Sequence, residues 1–271
     1  MGADYTVSDK DFSDMTACTV CPRLCSVNRT EKRGFCGMGA LPVAARAACH
    51  FGEEPCLAGK GGSGAVFFSG CSLRCVFCQN HVISHTEKGE TLTPERLCFL
   101  FEKLQSEGAD NIDLVTPTHF APFIAQALLL FAPKKKIPVL YNTSGYERAE
   151  SIRRFCSDID IFLPDLKYVH SDISARYSGA ADYFHYAARA LDEMFSMSGY
   201  PKIENGRMKS GVLIRHMVLP SHIKESFAVI DYLAAHYDPK RLYVSFLCQY
   251  FPTYKAAEYP EINRRLTTLE Y

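Results

Sequence analysis

The sequence predicts an α/β protein, a partial (β/α)6 TIM-like barrel of parallel strands that follows an N-terminal cysteine-rich, loop-rich extension. Three observations support this prediction. Short apolar runs alternate with helical patterns along most of the chain. These runs lack clean polar alternation, which is typical of strands buried on both faces. Six runs, rather than eight, predict an open barrel, and their alternation with helices implies parallel βαβ units with right-handed crossovers.

The predicted strands are short and rich in Val, Ile, Leu or Phe. They are Ala65–Ser69, Ile112–Thr116, Ile137–Asn142, Ile159–Pro164, Val212–Leu219 and Leu242–Leu247. One helix begins with Thr93 as its N-cap and Pro94 at its first helical position, and it ends at Gly108. The other predicted helices are Ala121–Phe131, Tyr146–Phe155, Asp182–Met197 and Ser221–His236.

The predicted boundary between the two parts lies at residue 62. Residues 1–62 form the cysteine-rich extension, which is rich in glycine and proline and has little periodicity. Residues 63–271 form the barrel domain. The last residues, Thr267–Tyr271, have the pattern of a helix that is just beginning, which predicts that the barrel domain is truncated at its C-terminus.

Charge and hydropathy exclude several classes of partner. The 271 residues include 30 basic and 30 acidic side chains, so no net charge favours nucleic acid or an anionic membrane. No apolar run reaches the ~18 residues that a membrane span needs. The segment Met1–Asp14 is polar and acidic, unlike a signal peptide. We therefore expect a cytoplasmic protein without a nucleic-acid or membrane partner.

Three of the twelve cysteines follow the first predicted strand. Cys71, Cys75 and Cys78 have the spacing C-x3-C-x2-C, at the strand end where barrel enzymes carry their active sites. Electron-transfer clusters use four cysteines, whereas three thiolates leave one iron open to a small molecule. The alternative interpretation is a zinc site whose fourth ligand is His81 or His85.

Residues 64–84, GAVFFSGCSLRCVFCQNHVIS, resemble the radical S-adenosylmethionine (SAM) superfamily. Within it they are most similar to the glycyl-radical-enzyme activase branch, the pyruvate formate-lyase activating enzyme-like proteins. The resemblance implies a [4Fe–4S] cluster on Cys71, Cys75 and Cys78, with SAM bound to the open iron. Reductive cleavage of SAM would give methionine and a 5′-deoxyadenosyl radical that abstracts a hydrogen atom.

The resemblance also implies a set of cofactor-binding residues at the strand ends. An Arg in an otherwise buried strand needs an anionic partner, and family enzymes use the matching Arg near the methionine carboxylate. Thr116-Pro117-Thr118-His119 stands where related enzymes carry a Gly-Gly-Glu-type segment for the methionine amino group. The implied cofactor-binding residues are Phe77, Thr116, Thr118, His119, Asn142, Ser144, Asp165, Lys167 and Arg215.

A second cysteine set lies in the extension. Cys18, Cys21, Cys25 and Cys36 are spaced C-x2-C-x3-C-x10-C in a turn-rich context. Four thiolates suit either zinc or a second iron–sulfur cluster, and the spacing leaves both open. An auxiliary cluster would relay electrons, whereas zinc would stabilise a segment that lacks a core of its own.

Two classes of function fit these observations. The first is a radical SAM oxidoreductase that abstracts hydrogen from a glycine of a partner protein, by resemblance a glycyl radical enzyme, with a flavodoxin- or ferredoxin-like electron donor. Another peptide or a small molecule is the alternative substrate. The second class is a non-enzymatic, zinc-stapled interaction module, for which the three-cysteine loop is a poorer fit.

Overall fold

The computed structural model describes residues 13–271, so the first twelve residues of the predicted extension lie outside the described residues. The described strands are β1 (Val43–His50), β2 (Ser63–Phe68), β3 (Glu90–Thr91), β4 (Asn111–Val115), β5 (Val139–Thr143), β6 (Ile161–Pro164), β7 (Lys202–Glu204), β8 (Arg207–Met217) and β9 (Tyr243–Leu247). The described helices are α1 (His81–Ser84), α2 (Pro94–Ser106), α3 (Ala121–Phe131), α4 (Ala149–Phe155), α5 (Ser171–Ser178), α6 (Tyr183–Ser198) and α7 (Ile223–His236). They include no helix with both the length and the apolar character of a membrane span.

The six predicted strands form one parallel sheet. Strands β2, β4, β5, β6, β8 and β9 pair in that order, each parallel to the next. The sheet therefore has the α/β architecture of a partial barrel, which confirms the predicted fold class. Thr93 accepts a hydrogen bond from the Arg96 amide as the N-cap of α2, and Pro94 is its first residue, as the sequence predicts.

The predicted extension contains one strand that the sequence patterns do not reveal. β1 pairs antiparallel with β2 and with β3, and so continues the barrel sheet on its outer side. Its sequence, VAARAACH, is dominated by alanine, which has little β-propensity, so no strand is predicted there. Residues 13–42 contain turns without a helix or strand, which agrees with the predicted loop-rich character of that part.

The interior of the barrel is divided into an apolar floor and a polar layer above it. The side chains of the floor are Leu57, Leu140, Ile161, Leu163, Met208 and Leu213. Two residues further along three of these strands lie Asn142, Asp165 and Arg215, because alternate residues of a strand face the same side. The polar layer consequently lies at the carboxyl ends of the strands, where barrel enzymes hold their substrates.

Hydrogen bonds join the N-terminal segment to the barrel, with donors in the segment and in the barrel. The Arg23 guanidinium donates to the Ser72 carbonyl oxygen over 2.7 Å, and the Ser151 hydroxyl donates to the Val20 carbonyl oxygen over 2.7 Å. The Cys71 amide approaches the Cys36 carbonyl oxygen at 3.4 Å. The two cysteine-bearing segments are thus in direct backbone contact.

Candidate active site

The loop after β2 places three thiols in a largely buried position. The Sγ atom of Cys75 lies 3.0 Å from the Ser178 hydroxyl oxygen, and that of Cys78 lies 3.1 Å from the Ser84 hydroxyl oxygen. The Leu73 amide donates to the Sγ atom of Cys71 over 3.4 Å. Each sulfur therefore has a hydrogen-bonding group beside it, and the loop is held by α1 on one side and by α5 on the other.

The charge state of these thiols depends on what they bind. Burial, with smaller contributions from the neighbouring Cys75 and Cys78, raises the pKa of the Cys71 thiol to about 12. Burial likewise raises the pKa of Cys75, whereas the Lys167 ammonium opposes this shift. The protonated forms of Cys71 and Cys75 are therefore favoured, and a positively charged iron centre would displace their protons on binding.

Three charged residues predicted from the sequence meet beside this loop. The Arg215 guanidinium donates through Nε to Asp165 Oδ1 over 3.0 Å and through Nη2 to Asn142 Oδ1 over 2.6 Å. The Lys167 ammonium donates to Asp165 Oδ2 over 2.5 Å. Burial alone would raise the pKa of Asp165, but the charges of Lys167 and Arg215 outweigh it and hold that pKa below its usual range. Asp165 is therefore an ionised carboxylate that orients two cations toward the strand ends.

Two adjoining cavities open around this network. The smaller, about 220 Å³, is lined by Cys75, Phe77 and Cys78 of the cysteine loop and by the Asp165–Lys167–Arg215 group. The larger, about 810 Å³, is lined by residues of β1, β2, β4 and β5 and of the loop after β1. Residues common to both walls are Gln79, Asn80, Arg215, Leu247 and Gln249. The cavities consequently meet at Arg215.

Comparison with known proteins identifies the family. Residues 65–227 match the model of the radical SAM superfamily. The chain belongs to the radical SAM superfamily. It is also 31% identical, over 260 residues, to the uncharacterized protein MJ0674 of Methanocaldococcus jannaschii, an alignment that covers 92% of this chain and 70% of the relative.

Solved structures show a more distant likeness. Streptococcus suis SuiB bound to S-adenosylmethionine is 15% identical with a TM-score of 0.48, and the match covers 72% of this chain and 41% of SuiB. SuiB bound to its precursor peptide SuiA is 14% identical with a TM-score of 0.46, and covers 72% of this chain and 40% of that chain. The chain thus spans about two-fifths of the length of SuiB.

Radical SAM membership implies a [4Fe–4S] cluster and SAM, and the residues present fit both groups. Cys71, Cys75 and Cys78 are free thiols, and each is near enough to another for their charges to interact. Across residues 13–271 no three His, Cys, Asp or Glu side chains are placed to hold a single metal ion. Three free, neighbouring thiols fit a [4Fe–4S] cluster with one iron left for SAM.

Four other predicted cofactor-binding residues lie close to the radical SAM site. Phe77 is buried edge-to-face against Tyr177 and Tyr250, with ring centroids 6.5 and 5.8 Å away, and it lines the small cavity. Asn142 contacts Arg215. Thr116 directly follows β4 and has a left-handed conformation with φ of 61°. Ser144 directly follows β5, and its carbonyl oxygen accepts a hydrogen bond from the Tyr183 hydroxyl.

Two of the predicted residues are engaged away from the barrel interior. Thr118 is buried and donates to Glu147 Oε1 over 2.5 Å, and burial raises the pKa of Glu147 to about 7. His119 is buried and its Nε2 contacts the Ser69 carbonyl oxygen at 2.7 Å, while burial lowers its pKa to about 3. Neutral His119 therefore supports the strand end before the cysteine loop, and neither residue lines the two cavities.

Sequence reasoning did not place two acidic residues that the structure brings to the barrel interior. Asp113 lies on β4 and is 1% exposed, and the Asn142 amide donates to its Oδ2 over 3.4 Å. Glu53 lies in the loop after β1, 3.6 Å from Arg215 Nη1. A charged residue within the apolar run Ile112–Thr116 was an available signal for Asp113, as it was for Arg215. Nothing local to the sequence shows that Glu53 reaches the barrel.

The four extension cysteines lie near one another in the structure. Cys18, Cys21 and Cys36 are buried, and a Cβ atom added to Gly34 would lie 3.5 Å from both Cys25 Sγ and Cys36 Sγ. Burial raises the pKa of Cys36, and the Arg29 guanidinium opposes this shift. The neighbouring thiols of Cys18 and Cys25 raise the same pKa by a smaller amount. The thiols are therefore neighbours, although they do not converge on a position for one metal ion.

Proposed function

We propose that this radical SAM enzyme abstracts a hydrogen atom from a peptide or protein substrate that enters through the large cavity. One observation carries the proposal: the large cavity and the small cavity beside the cysteine loop meet at Arg215. A substrate in the large cavity would therefore be within reach of the cofactor. A glycine of a partner protein is the substrate that the activating-enzyme resemblance supports. A small molecule is the alternative that a cavity of about 810 Å³ also accommodates.

The chain's own residues would perform three tasks. Cys71, Cys75 and Cys78 would hold the [4Fe–4S] cluster, which supplies the electron for reductive cleavage of SAM. Arg215 would bind the SAM carboxylate, because a guanidinium pairs with a carboxylate through two parallel hydrogen bonds. Asp165 would keep Arg215 and Lys167 aligned through the contacts already described. Phe77, buried against its tyrosine neighbours, would pack beside the adenine.

The cluster assignment is tested by electron paramagnetic resonance on anaerobically prepared protein. We expect a [4Fe–4S]⁺ signal that changes when SAM is added, and 5′-deoxyadenosine formation with dithionite as reductant. Changing Cys71, Cys75 and Cys78 together to Ala should abolish both. The matched control changes Cys49 and Cys248, which belong to neither cysteine set, to Ala. A triple variant that still cleaves SAM would rule the assignment out.

We infer in addition that the extension cysteines hold a second cluster of the [4Fe–4S] type rather than zinc. Cys18, Cys21, Cys25 and Cys36 are neighbours in the structure, which suits one shared centre. The contact between the Cys36 carbonyl oxygen and the Cys71 amide supports a role in passing electrons to the catalytic cluster.

The electron source and the compartment follow from the same chemistry. A cluster reduced one electron at a time suits a flavodoxin- or ferredoxin-like donor. All twelve cysteines are free in the structure, and reduced thiols persist in a reducing compartment. These observations support a cytoplasmic enzyme.

A further inference from the structure

The large cavity contains two carboxyl groups for which cofactor binding gives no role. Asp113 projects from β4 and Glu53 from the loop after β1, and both line the cavity wall. The Oδ1 atom of Asp113 is buried and has no hydrogen-bond partner. Glu53, whose side chain is 10% exposed, is 3.6 Å from the Arg215 guanidinium. One buried oxygen beside the cavity is therefore left without a donor.

This arrangement is energetically costly. A buried polar atom without a hydrogen-bond partner destabilises the protein. Burial raises the pKa of Asp113 well above its usual range, and the charge of Glu53 raises it further, while Arg215 opposes the shift. The shift favours the protonated form of Asp113, and a hydrogen bond with the Glu53 carboxyl group contributes to it. A cation that displaced this proton would satisfy both carboxylates.

The surrounding charges do not already supply that cation. The Arg215 guanidinium is directed to Asp165 and Asn142 at 3.0 and 2.6 Å, closer than to Glu53. The other titratable residues that line the cavity are Arg46, His50 and Glu54. Arg46 is exposed, and the side chain that donates a hydrogen bond to Asp113 is the uncharged Asn142.

We propose that Asp113 and Glu53 bind an ammonium group of the substrate. This proposal rests on the proposed function and gives its substrate class: a lysine-like or other aliphatic amine. A compact ammonium with three donors suits adjacent oxygens of two carboxylates. A substrate ammonium is favoured over the amino group of SAM as the bound group. Neither carboxylate lines the small cavity beside Cys75 and Cys78, and no cysteine lines the large cavity that holds the two carboxylates.

Binding of small probes to the reconstituted enzyme with SAM present tests this assignment. The probes are Nα-acetyl-lysine methylamide, its neutral isostere Nα-acetyl-norleucine methylamide, and Nα-acetyl-arginine methylamide, each titrated by calorimetry in buffers of different ionisation enthalpy. The lysine probe should bind at least about tenfold more tightly than the norleucine probe, with proton release. Asp113→Asn and Glu53→Gln should each abolish the preference, and Asp113→Asn should abolish the proton release.

The control variant is Glu54→Gln, which removes the same charge from the same cavity wall and should keep the preference. Equal affinity of the lysine and norleucine probes for the unchanged enzyme would overturn the proposal. Tighter binding of the arginine probe than of the lysine probe would also overturn it. A loss of SAM affinity in Asp113→Asn would overturn it as well, because the pair would then bind the SAM amino group. Dithionite-driven 5′-deoxyadenosine formation, measured without probe, reports separately on the proposed function.

Discussion

At the residue scale, Arg215 is the side chain at which the two cavities meet. Its three nitrogens face Asp165, Asn142 and Glu53, so the guanidinium is held in place before any ligand arrives. Its side chain remains 17% exposed toward the cavities. A preoriented, desolvated guanidinium binds a carboxylate at little conformational cost, which is the arrangement that recognition of a single small cofactor requires.

We predict that Arg215→Ala weakens SAM binding by about 1.5–3 kcal/mol, the range for hydrogen bonds to charged groups. Asp165→Asn should weaken it less, because Asp165 acts through Arg215 and Lys167. Equilibrium dialysis with labelled SAM measures both effects, and iron content should remain that of the unchanged enzyme. Arg46→Ala, which removes a guanidinium from the rim of the large cavity, is the control. Unchanged SAM affinity in Arg215→Ala would make that residue purely structural.

The sequence predicted this part of the site because a charge in a buried strand is conspicuous. Arg215 and Asp165 interrupt apolar runs, and the structure joins them. Thr118 and His119 were expected at the same strand ends, but the first turn after β4 directs them toward Glu147 and Ser69. A sequence shows that a residue follows a strand, whereas the direction of its side chain depends on the turn that comes next.

At the element scale, α5 is the structure that holds the cysteine loop. The amides of Arg74 and Val76 donate to the carbonyl oxygens of Ser178 and Tyr177 over 3.2 and 2.8 Å. The Ser178 hydroxyl faces Cys75 Sγ and also contacts the Tyr168 hydroxyl at 2.9 Å. The C-terminal turn of this helix therefore fixes both the backbone and one sulfur of the cluster loop.

We predict that Ser178→Ala lowers the reduction potential of the catalytic cluster. A hydrogen bond to a cluster sulfur stabilises the more negative, reduced state, so its loss favours the oxidised state. Potentiometric titration followed by electron paramagnetic resonance measures the shift. Ser174→Ala on the same helix, whose hydroxyl donates to the Ser171 carbonyl oxygen, should leave the potential unchanged. Equal potentials for Ser178→Ala and the unchanged enzyme would contradict the prediction.

Sequence patterns predicted the long elements well and the short ones poorly. The helix Ala121–Phe131 has the predicted bounds, and the six parallel strands lie within a few residues of their predicted positions. The helix α5 was missed because its sequence, SDISARYS, is polar and lacks a regular apolar face. The helix stabilises the cysteine loop through tertiary contacts between residues about a hundred positions apart. Such contacts leave no periodic signal in the sequence.

At the scale of the whole molecule, the extension and the barrel are packed together rather than merely linked. Met15, Val20 and Ala40 form a small apolar cluster with Ala121 and Phe123 beside the barrel. The Arg29 side chain, which is buried, donates to the carbonyl oxygens of residues on both sides, His119 in the barrel and Gly39 in the extension. Cys36 and Met38 also belong to the main core cluster, and metal binding can add stability to an irregular segment of this kind.

The last prediction is that a metal centre on the extension cysteines supplies this stability, and that its metal is iron. Changing Cys18 and Cys36 together to Ser should lower the iron content of reconstituted protein from about eight to about four atoms per chain, because a [4Fe–4S] cluster holds four. The same variant should unfold at a lower temperature, since metal binding energy becomes folding energy. The paired change of Cys49 and Cys248 to Ser should keep both values. If elemental analysis instead finds about four irons and one zinc in the unchanged protein, and the variant loses only the zinc, the extension site is a zinc site and the electron relay is excluded.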